Sequence, residues 1–249
     1  IILTALISAC TPEPTLPVGK TPEPELVLLD WAEDVPQSIL DKFKAEYGVT
    51  VKYLTYESTE EAVDRIEVGE LLDVVVLDND NLDQLIRQGQ LRPIDPTAIP
   101  NIKNISPNFR GLSFDPTNTY SVPFNWGTTG IIYHTQRFDQ PITTWADLWN
   151  PGLAGRVGLW QYESRETIGL TLKSLGYSAN SENPAELDEA RQRLLELRPN
   201  VQFIENMSSG VTAVYLINEF QLDAAMGYAY DALEGAAVNP DIQYALPSE

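Results

Sequence analysis

The sequence has 249 residues, enough for one large or two smaller domains with a sizeable core, and its 36 acidic and 16 basic side chains give a net charge of −20. A negative field of this size disfavours nucleic acid and anionic lipid as partners and favours cations. Cys10 and His134 are the only cysteine and histidine, which nearly excludes an internal disulfide, a Cys/His zinc site or a catalytic triad with a further histidine, and we expect no metal or cofactor.

The N-terminal residues 1–10 are typical of a secretory signal. Residues 1–9 are apolar or small and too short to span a bilayer, and Ile7, Ser8 and Ala9 precede Cys10. This resembles the bacterial lipoprotein processing motif, in which the cysteine becomes the lipidated N-terminus. The alternative is an ordinary apolar N-terminus with a chance cysteine. Residues 11–25 are rich in Pro, Thr and Glu and predict an extended tether.

The next segment alternates strands with helices. Residues 26–30 predict a strand, and a helix is expected from Pro36 to Gly48. A second strand begins at Val49, and Ser58 with Glu61 forms a capping-box pattern for the following helix. Residues 71–77 predict a strand covered on both faces, followed by a helix that ends at Gly89. This order predicts a parallel α/β sheet.

Acidic and aromatic side chains follow each of these three strands. In open α/β sheets, ligands bind at the carboxyl ends of the strands, so these residues should converge at one edge. An indole ring beside carboxylates suits an organic cation. The alternative is a tryptophan at the rim with solvated acids. The residues concerned are Trp31, Glu33, Asp34, Tyr56, Glu57, Asp78 and Asp80.

The middle of the chain leaves two interpretations open. Residues 93–118 are irregular and rich in Pro and Asn, and the strand-like residues 120–133, which include Trp126, contain Gly127 and Gly130. These glycines indicate a bend or a close backbone approach. A crossing between domains and a twisted strand of one continuous sheet both fit.

The second half repeats the pattern at two more strand ends. A strand over 155–160 leads to Glu163, Arg165 and Glu166 at a helix start, although Glu166 also suits a structural role in the first helical turn. A helix capped by Asn183 and a strand over 201–204 follow. A strand over 222–228 ends in Tyr228 and Asp231, and residues 242–246 are also strand-like.

Residues 26–246 resemble the spermidine/putrescine-binding proteins of bacterial polyamine ABC importers. The resemblance implies a two-lobed α/β fold, the type II periplasmic binding protein fold, with a ligand cleft between the lobes. We expect lobe 1 at 26–130, lobe 2 at 131–240 and a return crossing that begins at 241–249, with the C-terminal remainder missing. The matching stretches are 31–36, 55–58, 72–75, 120–123 with 126–130, 144–149 and 164–166.

The resemblance implies an extracytoplasmic, lipid-anchored and monomeric protein that delivers spermidine or putrescine to an ABC permease and is not an enzyme. Asp34, Asp78 and Asp80 fall where well-known members carry Tyr, Ser and Tyr, and Tyr228 replaces a tryptophan. Because the family's next motif lies beyond residue 249, we expect weak binding by the chain as given. The expected ligand-binding residues are Trp31, Glu33, Asp34, Asp78, Asp80, Trp126, Glu163, Glu166, Tyr228 and Asp231.

Two other functions are weighed against polyamine binding. The first keeps the fold and changes the solute to another organic cation or a metal complex, which the additional acids allow. The second is a lipid-anchored hydrolase with Glu163 and Glu166 as acid and base. It is disfavoured because carboxylates three residues apart near a helix start lie side by side and do not face each other across a substrate.

Overall fold

The computed structural model describes residues 24–32, 34–161, 164–204 and 210–248, and the predicted signal, Cys10 and most of the tether lie outside these ranges. The chain divides into two compact units between Pro123 and Phe124. The first unit contains β1 (Glu25–Trp31), α1 (Gln37–Tyr47), β2 (Thr50–Tyr56), α2 (Thr59–Glu67), β3 (Val74–Val75) and α3 (Leu82–Arg87).

The sheet of the first unit is parallel, with strand order β2-β1-β3. Trp31 pairs in register with Tyr56, so the last residues of β1 and β2 lie side by side at one edge. The predicted helix ends are present. Gly48 closes α1 in a left-handed conformation (φ 70°), and Ser58 Oγ accepts the Glu61 N–H (3.2 Å) at the start of α2.

The prediction for residues 71–77 was wrong in extent and burial. Only Val74 and Val75 pair as a strand, and Val74 is 46% and Leu71 89% exposed. The apolar composition suggests a central strand, whereas among the described residues β3 pairs only with β1 and lies at the edge of the three-stranded sheet. Residues 93–118 are irregular, as predicted, with short 3-10 turns at Pro96–Ala98, Pro100–Asn104 and Pro107–Phe109.

The second unit is built on a mixed sheet with strand order β6-β5-β7-β4-β8. β5, β6 and β7 are parallel, and β4 runs antiparallel to both β7 and β8. Its elements are β4 (Thr129–His134), β5 (Val157–Trp160), α4 (Ser164–Ser174), α5 (Pro184–Leu197), β6 (Val201–Ile204), α6 (Gly210–Asn218), β7 (Ala224–Tyr228), α7 (Ala229–Val238) and β8 (Ile242–Ala245).

The unit boundary differs from the expected lobe boundary at residue 130. Residues 129–134 form β4 within the mixed sheet, so the division falls earlier, between Pro123 and Phe124. Residues 241–249, expected to begin a return crossing, contain β8, which pairs with β4 in the same sheet.

The mixed sheet forms a continuous core. Ile131, Leu159 and Met226, from three different strands, are at most 2% exposed. Trp145, in the short 3-10 helix Trp145–Trp149, packs into the same core. Within the described ranges, none of the helices is long and apolar enough to cross a bilayer.

Gly130 provides the close backbone approach that its position in a strand suggested. A Cβ added there would overlap Ala245 O and lie 2.5 Å from Tyr244 Cζ, because β8 packs directly against this point of β4. Gly127, three residues earlier, has nothing within 4 Å of such a Cβ. An alanine substitution at each of the two glycines therefore gives a matched comparison, with a clash at Gly130 and none at Gly127.

We predict that Gly130→Ala destabilises the second unit by about 1 to 3 kcal/mol, since the new methyl group must displace the backbone of β8. Urea unfolding followed by circular dichroism measures the change. Gly127→Ala, the control, should change the free energy of unfolding by about 0.5 kcal/mol or less. Equal stability of both variants would contradict the packing described for β4 and β8.

Candidate functional site

Two aromatic rings meet at the strand ends of the first unit. The centroids of Trp31 and Tyr56 lie 4.4 Å apart with the rings tilted at 53°. Tyr56 is buried, and its hydroxyl donates to Val76 O (2.8 Å), just beyond β3. The Tyr53 hydroxyl donates to Trp31 O (2.6 Å). These bonds hold the half-buried Trp31 ring in place at the edge of the sheet.

Three of the predicted acids lie at this edge. Asp34 follows β1, and Asp78 and Asp80 follow β3; all three residues are exposed. Asp78 Oδ2 accepts a hydrogen bond from Thr59 Oγ1 (3.2 Å) at the start of α2. The pKa of Asp78 is raised, mainly because the surrounding protein reduces the solvation of its carboxylate even though the residue as a whole is exposed. The hydrogen bond from Thr59 lowers this pKa, and the negative charges of Asp80 and Asp34 raise it. We call Trp31, Tyr56, Asp34, Asp78 and Asp80 the first-unit site.

A second group of side chains lies at one edge of the mixed sheet. Glu166, in the first turn of α4, accepts hydrogen bonds from Thr129 Oγ1 (3.1 Å) and from the Tyr228 hydroxyl (3.4 Å). The Tyr228 ring packs on Trp160 with centroids 4.6 Å apart. We call Glu166, Thr129, Tyr228 and Trp160 the second-unit site. Its carboxylate is oriented by two hydroxyl donors beside an aromatic pair.

Asp231 lies next to the second-unit site in the first turn of α7. Burial raises the pKa of its carboxyl, a hydrogen bond from the Tyr228 backbone N–H lowers it, and Glu234 raises it. Among the residues that the structure describes, neither its buried Oδ2 atom nor Nε1 of the buried Trp160 has a hydrogen-bond partner. The position suits helix capping as well as ligand binding.

Three other predicted site residues, Trp126, Glu33 and Glu163, are not part of either group of side chains described above. Trp126 is 69% exposed and belongs to the second unit. Glu33 and Glu163 lie outside the described residues. Across the described ranges, no group of three or more His, Cys, Asp or Glu side chains is placed to hold a metal ion.

Sequence reasoning missed Trp160 and Thr129 of the second-unit site and Asp30 beside the first-unit site. Residues 26–30 predict a strand that ends at Asp30, and the structure buries this residue fully. Residues 155–160 predict only a strand for Trp160, yet its ring packs on Tyr228. Thr129 lies at the beginning of β4, and only the antiparallel direction of that strand brings it to the edge where β5 and β7 end. Direction is a property of the sheet, and no local signal in residues 120–133 reveals it.

Both sites have the chemistry of cation recognition. Carboxylates attract a positive charge, and aromatic faces add cation–π attraction and cover an aliphatic chain. Each buried ammonium group must be paired with an acceptor, or its desolvation is not offset. Neither site, as described, needs a nucleophile or a general base for this task.

Comparison with known proteins supports these observations. Residues 38–247 match the model of the bacterial extracellular solute-binding protein family. The spermidine/putrescine-binding periplasmic protein of Salmonella typhimurium is 36% identical over 179 residues, which cover 71% of this chain and 51% of that protein. The chain therefore spans about half the length of this curated relative.

Solved structures agree with the fold. The spermidine/putrescine ABC transporter substrate-binding protein of Streptococcus pneumoniae superposes with a TM-score of 0.77 at 30% identity, covering 90% of this chain and 68% of that one. The TpPotD lipoprotein of Treponema pallidum gives a TM-score of 0.80 at 28% identity, covering 90% and 70%. The predicted type II periplasmic binding protein fold is confirmed. The chain belongs to the bacterial extracellular solute-binding protein family.

Proposed function

We propose that this protein binds a polyamine, spermidine or putrescine, outside the cytoplasm and delivers it to an ABC permease. The carrying observation is Glu166, whose carboxylate accepts hydrogen bonds from Thr129 and Tyr228 beside the Trp160 ring, which packs on Tyr228 at a tilt of 53°. The names of the relatives in Salmonella typhimurium and Streptococcus pneumoniae support the same ligand class. Binding and release suffice for this role, and we propose no catalytic activity.

The energetics of such a site are adequate for capture. A cation–π contact contributes about 0.5 to 2 kcal/mol, and a charge-assisted hydrogen bond contributes about 1.5 to 3 kcal/mol. A few of each reach micromolar affinity, about −8 kcal/mol, after the cost of association. Both sites carry the groups required, and the net charge of −20 attracts a polycation. That one ligand uses both sites stays a prediction, as do the roles of Glu33, Trp126 and Glu163.

A second candidate ligand is another organic cation. Asp34, Asp78 and Asp80 lie together at the first-unit site, and Asp78 is repelled by the other two. A ligand with more positive charge at that end, or with a bulkier cationic group, would use these acids. A panel of amines of different length and charge distinguishes the two candidates.

Isothermal titration calorimetry on the gene product tests the proposal. We predict binding of spermidine or putrescine but not of 1,4-butanediol, the neutral counterpart of putrescine. Trp31→Ala and Glu166→Gln should each weaken binding at least tenfold, about 1.4 kcal/mol. Each variant removes one of the contacts argued above, an aromatic face or an oriented carboxylate.

Matched controls come from residues outside both sites. Phe203→Ala removes an aromatic ring that is 61% exposed on the edge strand β6, and Asp188→Asn removes a surface carboxylate of α5 that pairs with Arg191. Both should retain the parent affinity. Unchanged affinity in both Trp31→Ala and Glu166→Gln would remove the site assignment, and the absence of binding to every polyamine would remove the function.

Lipid anchoring through Cys10, monomeric state and a place at the outer face of the bacterial membrane belong to the same proposal. The support is the Ile7-Ser8-Ala9-Cys10 sequence and the description of the Treponema pallidum neighbour as a lipoprotein. We predict that the gene product, expressed in bacteria, incorporates labelled palmitate and partitions into Triton X-114. Cys10→Ser should abolish both, whereas Thr11→Ser should not. Palmitate labelling of the Cys10→Ser variant would exclude this anchor.

A further inference from the structure

Asp30 is a fully buried carboxylate directly behind the first-unit site. It lies on β1, immediately before Trp31, and its residue surface is 0% exposed. Its Oδ1 atom accepts the backbone N–H of Trp31 (2.7 Å). Within the described ranges its Oδ2 atom is buried and has no hydrogen-bond partner. A carboxylate is thus withdrawn from water with a hydrogen bond to only one of its two oxygens among the described residues.

The groups around Asp30 provide little compensation for its charge. Tyr53, from β2, donates its hydroxyl proton to Trp31 O (2.6 Å), and the same hydroxyl lies within reach of Asp30 and weakly lowers the pKa of that carboxyl. The pKa of Tyr56, also from β2, is raised by burial and then by the negative charges of Asp78, Asp30 and Asp34. Among the described residues, no arginine or lysine forms a salt bridge with Asp30 or counts among the groups that shift its ionisation. An unpaired charge at such a position is unfavourable.

The titratable groups near Asp30 are acids and tyrosines. Asp34 comes from the loop after β1, Tyr53 and Tyr56 from β2, and Asp78 with Asp80 from the segment after β3. Burial raises the pKa of Asp30 from 3.8 to about 6; the Trp31 N–H lowers it, Asp34 raises it and Tyr53 lowers it. The pKa of Asp78 is raised as well.

We propose that Asp30 is the proton-linked counter-charge of the first-unit site, so that a cation bound beside Trp31 and Tyr56 drives Asp30 to its ionised form and releases its proton. This rests on the proposed function, because it requires a cationic ligand at that site. A positive charge beside a carboxyl favours the ionised form. By linkage, the affinity for the cation must then fall as the pH falls through the range in which Asp30 takes up its proton.

Asp30 acts here as a positioning and counter-charge residue and need not touch the ligand. In the absence of ligand its folded pKa lies above its unfolded value. The native state therefore binds more protons than the unfolded state between about pH 4 and pH 6, and stability falls as the pH rises through that window. A cation at the first-unit site removes this penalty, so ligand binding should stabilise the first unit most above pH 6.

The experiment is calorimetry with putrescine from pH 5 to pH 7.5 in buffers of different ionisation enthalpy, on the parent and on Asp30→Asn. For the parent we expect net proton release near pH 6 and an affinity about five- to tenfold weaker at pH 5 than at pH 7.5. Asp30→Asn keeps an acceptor for the Trp31 N–H but cannot titrate. Its proton release should be smaller and its affinity should vary less than about threefold over the same range.

A matched control is available in Asp73, which lies immediately before β3 and whose carboxylate also bonds to the backbone of β1. Asp73 Oδ2 accepts the backbone N–H of Val27 (2.7 Å), as Asp30 Oδ1 accepts that of Trp31, but Asp73 is exposed. Asp73→Asn should retain the proton release and the pH profile of the parent. If Asp30 had a purely structural role, Asp30→Asn would release as many protons on binding as the parent does.

The outcomes separate this inference from the proposed function. If the parent binds putrescine and Asp30→Asn shows the same proton release and pH profile, the counter-charge role is wrong and the polyamine site stands. If the parent binds no polyamine, the proposed function fails and the coupling fails with it. Thermal unfolding without ligand gives an independent readout. Asp30→Asn should be stabilised relative to the parent at pH 8 and less so at pH 4, and the reverse order would overturn the inference.

Discussion

Carboxylates withdrawn from water beside aromatic rings are the constraint on which both units depend. In the described part of the chain, Asp30 and Asp231 each have a buried oxygen without a hydrogen-bond partner, and Asp78 is repelled by its acidic neighbours. Such groups cost free energy in the ligand-free protein. A protein retains them where the partner arrives from outside, and a protonated amine is a partner of the right sign. The strand ends supply the location, and the rings of Trp31, Tyr56, Trp160 and Tyr228 reduce contact with water there.

Much of the fold could be predicted from local chemistry. The helix from Gln37 to Tyr47 follows from its apolar spacing and from Gly48, and the turn around Trp145 follows from the pairing of Thr144 with Asp147. Composition could not reveal that β3 is an edge strand, because an apolar run looks alike at the centre and at the edge of a sheet. The place of β4 depends on pairing with β7 and β8, which lie about a hundred residues away along the chain.

The candidate sites could be predicted only where their residues follow directly from strand ends. Trp31, Asp34, Asp78 and Asp80 are predicted to lie together because parallel strands place their ends at one edge, and β1 does pair in parallel with β2 and β3. Their role in binding stays a prediction. Asp30 was missed because a strand-end acid is ordinarily solvated, and its burial depends on the packing of Tyr53 and Tyr56 from the next strand. The contact of Glu166 with Thr129 joins residues from α4 and β4 that no short motif connects.

The reversed direction of β4 also links the second-unit site to the end of the mixed sheet. Thr128, the neighbour of Thr129, accepts through its carbonyl a hydrogen bond from the Tyr244 hydroxyl (2.8 Å) on β8, and the same hydroxyl lies 2.9 Å from Thr128 Oγ1. Substitutions on β8 can therefore reach the Glu166 carboxylate through two adjacent threonines without altering any residue of the second-unit site. The orientation of that carboxylate thus depends on a strand that lies more than seventy residues further along the chain.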